Sequence, residues 1–184
     1  MNNELYRSLS ELCSKFLNEL ENITSHIPYG TCYLLGHCLA EGFSKIGSNA
    51  RETTGNLILQ DKHRKSIVYG KSKYHGKLVG YFHTWCILKL DDEEIIVDPS
   101  MKYIKMYLKK YCNIKLNERL PDILISNKSH LWHYEYIEDN SLVSQSRLAL
   151  NRQDPKIVTH LINTVRELSD SYLINTSQII RKSA

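Results

Sequence analysis

Leu5, Leu9, Leu12, Phe16 and Leu20 recur at helical spacing, separated by polar and charged residues, and predict an amphipathic N-terminal helix. It should stop near Pro28, where Tyr29-Gly30 supplies a turn. A second apolar pattern runs from Cys32 through Leu35, Leu39, Gly42, Phe43 and Ile46 and closes at Gly47, the residue type that commonly ends a helix. After that the period shortens. Thr53 to Gln60, with Leu57, Ile58 and Leu59, reads as a strand, as do Tyr81 to Leu90 and Glu94 to Asp98, the latter two joined by a turn at Asp91-Asp92. The intervening stretch from Asp61 to Gly80 is lysine-rich and broken by Gly70, Gly76 and Gly80, which predicts a mobile loop or an irregular hairpin. Tyr103 to Tyr111 reads as a short helix, and Asp122 to Ser126 and Leu131 to Ile137 as further strands or edge pieces. Val158, Leu161, Ile162, Val165, Leu168, Tyr172 and Leu173 predict a C-terminal helix over about residues 154–182, behind the Asp154-Pro155 start signal.

Helices thus flank a run of adjacent antiparallel strands. The class is α+β, with N-terminal helices packed on a central antiparallel sheet and a C-terminal helix added, rather than alternating βαβ units. A chain of 184 residues fits one domain over 1–184 with a single sizeable core. A 42% hydrophobic share and the lack of any low-complexity tract exclude the disordered class. The excess of 24 basic over 20 acidic residues is weak. Clusters at Lys102, Lys105, Lys109 and Lys110, and at Lys62, Arg64 and Lys65, lack the interleaved aromatics of a single-strand binder, so they read as solvated faces and nucleic acid is not the expected partner. No stretch of 18 apolar residues exists, so no membrane partner is expected. The first helix carries Glu4, Glu11, Glu19 and Glu21 and does not resemble a secretory leader. A reducing cytoplasm is the expected location, with signal-independent secretion left open.

Cysteines fall at positions 13, 32, 38, 86 and 112, an odd number whose spacing fits neither a zinc ribbon nor a disulfide scaffold. Cys32 stands apart because it opens a helix, where free backbone N–H groups and the dipole favour a thiolate and could hold an oxyanion. Taken alone, a cysteine on an apolar helix is more often a small core residue; Gly30 argues the other way, because it lets a substrate backbone approach. His83 lies on a strand with Tyr81, Trp85 and Ile87 on its face, and Asp98 ends the next strand before Pro99. A turn at Asp91-Asp92 pairs residue i with roughly 183 − i, which brings His83 opposite the stretch from Asp98 to Ser100 within a slip of about two residues. Cys32, His83 and Asp98 are therefore the candidate nucleophile, general base and orienting carboxylate. Tyr29, Gly30 and Trp85 are expected to wall a substrate cleft.

Other residues carry competing readings. Cys38 falls mid-helix and reads as core, and Cys86 should face away from His83. A zinc site built from Cys32, His37, Cys38, His83 and Cys86 is disfavoured, because His37 and Cys38 point about 100° apart on a helix. No metal and no cofactor is therefore expected. His26 is either an oxyanion-hole helper or a surface loop residue. Trp132, His133, Tyr134 and Tyr136 form a cluster that would line a groove or fill the core, and Arg51 reads as a structural ion-pair partner.

Gly30-Thr31-Cys32 with its apolar helix, Gly47 with Ala50-Arg51 and Gly55, His83-Thr84-Trp85, and Ile96-Val97-Asp98-Pro99-Ser100 together resemble the core of transglutaminase-like cysteine proteins. The likeness covers about residues 28–103. It implies a papain-like fold and a triad of Cys32 as nucleophile, His83 as general base and acid, and Asp98 as orienting carboxylate. The interval from Cys32 to Arg51 is about one residue longer than the family pattern, and Gly36 stands where that family often has alanine. The expected activity is hydrolysis or acyl transfer on an amide, either a peptide bond or a glutamine side chain, of a protein or peptide substrate through a thioester. Two alternatives stay open. One is an arylamine N-acetyltransferase-like enzyme using the same triad order; the other is a non-catalytic protein-binding module, with the basic loop at 61–77 and the C-terminal helix as its working parts.

Overall fold

Period and position explain most of the elements. In the computed structural model, which describes residues 3–24, 27–90, 93–127 and 133–182 (with side chains only to Tyr172 in the last segment), the first amphipathic pattern forms α1, Asn3–Thr24. Its buried stripe is Leu9, Leu12, Cys13, Phe16, Leu17 and Leu20, the face that the spacing predicts. Helix α2, Cys32–Lys45, begins at the expected cysteine. It closes as a Schellman turn, with Ser48 N–H donating to the Phe43 carbonyl and Gly47 N–H to that of Ser44.

Strands β1 (Asn49–Gln60), β2 (Ser66–Tyr69), β3 (Lys77–Gly80), β4 (His83–Leu90), β5 (Glu93–Asp98), β6 (Leu124–Asn127) and β7 (Tyr134–Glu138) form one seven-stranded sheet in the order β3-β2-β1-β4-β5-β6, with β7 paired to β1. All pairings are antiparallel except β2 with β3. The stretch expected to be a loop or hairpin is therefore a parallel strand pair at the sheet edge, because residues 70–76 carry the chain back to the same end before β3 starts. Strand β4 starts at His83; Tyr81, expected within it, precedes it and is 78% exposed. The β4–β5 ladder pairs Cys86 with Val97 and Lys89 with Glu94, the register in which partner numbers sum to 183. The Asp91-Asp92 turn itself lies outside the described residues, as does Leu131.

Alternation along β4 and β5 splits the core in two. Cys86, Leu88, Ile95 and Val97 face α1, α2 and the C-terminal helix α5, Pro155–Lys182, whose Leu161 and Val165 are fully buried. Trp85, Ile87 and Ile96 face the other way, onto α3 (Met101–Tyr111) through Met101, Ile104 and Leu108. A short 3-10 turn at Asn140–Leu142 and helix α4, Val143–Leu150, follow β7. The one buried residue of α4 is Ser146, so apolar periodicity carries no trace of it. Among the described residues no helix is long and apolar enough to cross a membrane.

Candidate active site

The site grows from the ends of four elements. The Thr31 hydroxyl donates to the Pro28 carbonyl at 2.7 Å and fixes the turn that delivers Cys32. Gly30 sits at φ +71° with no atom within 4 Å of where a Cβ would stand, a left-handed turn position that leaves open space beside the thiol. Neither Thr31 nor another side chain caps α2, so the first-turn amides remain available to a ligand. Four residues on, a Cβ at Gly36 would lie 3.0 Å from Thr84 Cγ2 and 3.1 Å from the Trp85 nitrogen. Helix α2 packs this closely on β4, which is the physical reason for glycine at that place and what brings the Cys32 end of α2 to the His83 end of β4.

His83 and Asp98 lie on one face of β4 and β5. The ladder ends at Cys86 with Val97, and beyond it the Asp98 side chain reaches to His83, with His83 Nε2 to Asp98 Oδ2 at 2.7 Å. Both residues are buried, at 0% and 1% exposure. Asp98 is fully satisfied: Oδ1 accepts from the Ser100 N–H at 2.9 Å and the Ser100 hydroxyl at 2.6 Å, and Oδ2 also accepts from the Tyr136 hydroxyl at 2.6 Å. Burial pushes the Asp98 pKa up, but the His83 charge and the hydrogen bonds from His83, Ser100 and Tyr136 outweigh it and hold the pKa below its ordinary value. For His83, burial favours the neutral ring. The Asp98 charge and hydrogen bond, followed by the Cys32 sulfur, overcome it and raise the pKa above its ordinary value.

Nε2 is thus committed to Asp98. Nδ1 is buried and makes no hydrogen bond within ordinary geometric limits, and His83 shares the wall of one cavity with Cys32. The sequence-derived trio is therefore brought together. Cys32, Gly30, Tyr29 and His83 open onto one cavity of about 280 Å³. Its walls come from Tyr69, Val79 and Phe82, in and beside the β2–β3 pair, and from Tyr103, Ile104 and Tyr107 on α3. None of these wall residues was expected in the site.

Trp85 is placed differently from expectation. It is 1% exposed and does not reach the cavity; it stacks under His83 with ring centroids 6.0 Å apart and supports the imidazole from behind. Tyr136, expected in a groove or the core, is 5% exposed and braces Asp98. It arrives there because β7 pairs with β1 across Gly55, where a Cβ would stand 2.0 Å from the Ile137 carbonyl oxygen. That is a tertiary crossing with no local sequence signal. Arg51 ties the same strand down through Glu138 at 2.8 Å and reaches Glu94 at 3.3 Å. Cys38 and Cys86 are buried, and burial raises both thiol pKa values, that of Cys38 to about 12. His37 turns away from Cys38 to meet Glu52 at 3.0 Å. His26 and Trp132 lie outside the described residues.

No protein-family model and no curated protein matches the chain. A solved structure described as that of a genomics target is similar over 91% of this chain and 82% of its own, with a TM-score of 0.59 at 8% identity, which is a likeness of fold alone.

Proposed function

We propose that the protein is a cysteine-dependent hydrolase or acyltransferase acting on an amide of a protein or peptide, with a papain-like core of the transglutaminase-like kind. One observation supports this reading: His83 has Nε2 fixed by a buried, fully hydrogen-bonded Asp98 and Nδ1 uncommitted, and it shares the wall of an open cavity with Cys32. In the reaction, the Cys32 thiol gives its proton to His83 Nδ1 and its sulfur forms a bond to the amide carbon. The carbonyl oxygen becomes an oxyanion beside the uncapped first-turn amides of α2. Collapse breaks the C–N bond as His83 returns the proton to the departing amine, which leaves a thioester on Cys32. Water or an acceptor amine, deprotonated by His83, then attacks the thioester and releases the thiol. Asp98 keeps the ring oriented throughout and stabilises its charged form.

Iodoacetamide tests the reading. At about pH 6, Cys32 should alkylate at least about tenfold faster than Cys112, and His83→Ala should remove that advantage. Cys32→Ala should abolish turnover with nearly unchanged unfolding. A Cys32 rate equal to that of Cys112, which is likewise half-buried, would overturn the assignment.

A further inference from the structure

The cavity wall is selective beyond the triad. Its lining holds Tyr69, Val79, Phe82, Tyr103, Ile104 and Tyr107, and no Asp, Glu, Lys or Arg. A cationic side chain seated there would lose its water without meeting a carboxylate, and an anionic one would find only the groups that the reaction itself needs, His83 and the first-turn amides of α2. An opening of about 280 Å³ admits one aromatic or branched aliphatic side chain with its adjoining peptide unit, since about 150 Å³ suffices for benzene.

The mouth extends this apolar character outward. Five large hydrophobic residues are exposed among the described residues, and three of them, Ile27, Tyr81 and Tyr111, sit beside the residues that line the cavity. The Ile27 carbonyl accepts from the Tyr29 N–H at 2.9 Å, and the Tyr111 ring packs edge-on against Tyr29 at 5.5 Å. Tyr81 directly precedes the wall residue Phe82. A small-molecule donor would end inside the cavity and leave this collar unused, whereas a chain running past it would cover the exposed rings. The frame is also basic. Residues 71–77, between the wall residues Tyr69 and Val79, hold Lys71, Lys73 and Lys77 without an acidic residue, and α3 ends in Lys109 and Lys110, with Lys110 Nζ 5.1 Å from the centroid of the Tyr111 ring. Among the described residues, Lys73, Lys77, Lys109 and Lys110 pair with no carboxylate.

We propose that the site takes an extended peptide. An uncharged apolar side chain of the phenylalanine or leucine kind occupies the cavity beside the attacked carbonyl, and acidic residues lie just outside against the lysine rim. This substrate class rests on the reading of Cys32 as nucleophile.

Peptidyl acyloxymethyl ketones test it. The Cys32 sulfur bonds to their methylene carbon as the carboxylate leaves, and the thiol proton passes to His83 and then to solvent. In the series acetyl-Asp-Glu-X, with X as Phe, Leu, Gln, Lys or Asp, intact-mass rates on the wild-type protein should be at least about tenfold higher for Phe and Leu than for the other three. Replacing Asp-Glu by Lys-Lys should slow the Phe reagent, with the gap narrowing in about 0.5 M salt. Val79→Phe, which fills the cavity, should shift the preference from Phe toward Ala; if that variant does not fold, the wild-type series still decides. Equal rates across X, or an octanoyl acyloxymethyl ketone reacting as fast as the Phe peptide, would overturn the substrate class. Iodoacetamide run in parallel separates the two failures. Fast alkylation of Cys32 with a flat peptide series sinks only the substrate class, whereas slow alkylation together with slow peptide reaction sinks the nucleophile reading and this proposal with it.

Discussion

Asp98 accepts four hydrogen bonds in a site with almost no solvent exposure, and His83 gives it one of them. Replacing the carboxylate by an amide keeps the shape but removes the charge that favours the imidazolium and orients the ring. Turnover of a peptide amide by Asp98→Asn should fall by about 10³–10⁴, and full turnover would remove Asp98 from the mechanism. The same pair sets a pH dependence of stability. The Asp98 pKa is lowered from 3.8, so its stabilising share is present above pH 3.8 and is lost as the pH falls through the folded-state value. The His83 pKa is raised from 6.5, so its share is complete below pH 6.5 and is lost as the pH rises through the folded-state value. Urea midpoints should therefore show the wild-type advantage over His83→Gln largest between those two values and shrinking as the pH is raised. An advantage that stays constant into the alkaline range would mean that His83 gains nothing from Asp98 on folding.

Close approaches between elements carry the site. Helix α2 reaches β4 at Gly36, and β7 reaches β1 at Gly55. The second approach is testable by one methyl group. In Gly55→Ala the new Cβ meets the Ile137 carbonyl, so β7 must retreat and draw Tyr136 away from Asp98. Urea unfolding should show a loss of about 1–3 kcal/mol, accompanied by reduced turnover. A variant as stable and active as wild type would show that the strands part without disturbing Asp98. Elements also differ in how plainly the chain announces them. Helices α1 and α2 repeat apolar residues at helical spacing, while α4 buries a serine that hydrogen-bonds to Thr84 at 3.0 Å and Glu52 at 3.3 Å. Hydrophobic periodicity has nothing to register in a helix anchored by polar contacts.

At the scale of the molecule, α5 closes one face of the sheet against α1 and α2, and Leu161 and Val165 are fully buried there. Its inward face is core. Leu161→Ala should cost about 2–5 kcal/mol in urea unfolding; a loss under about 0.5 kcal/mol, typical of surface positions, would place it outside the core.

Local order was legible because it is written in short-range physics. Apolar spacing fixed α1, α2 and α5, the turn position fixed the β4–β5 register, and that register brought Asp98 within reach of His83. Cys32 at a helix start followed from its neighbours in the chain. What the amino-acid order alone left undecided is everything set by packing between distant segments. The β2–β3 pair reads as a lysine-rich loop or irregular hairpin yet walls the cavity, Trp85 lies beneath the imidazole instead of facing substrate, and Tyr136 reaches Asp98 from 38 residues away. The approach of Cys32 to His83 belongs with these, because it depends on how closely α2 settles on β4. Such contacts are decided by which surfaces exclude water together, and a one-dimensional pattern records that a residue is buried without recording against what.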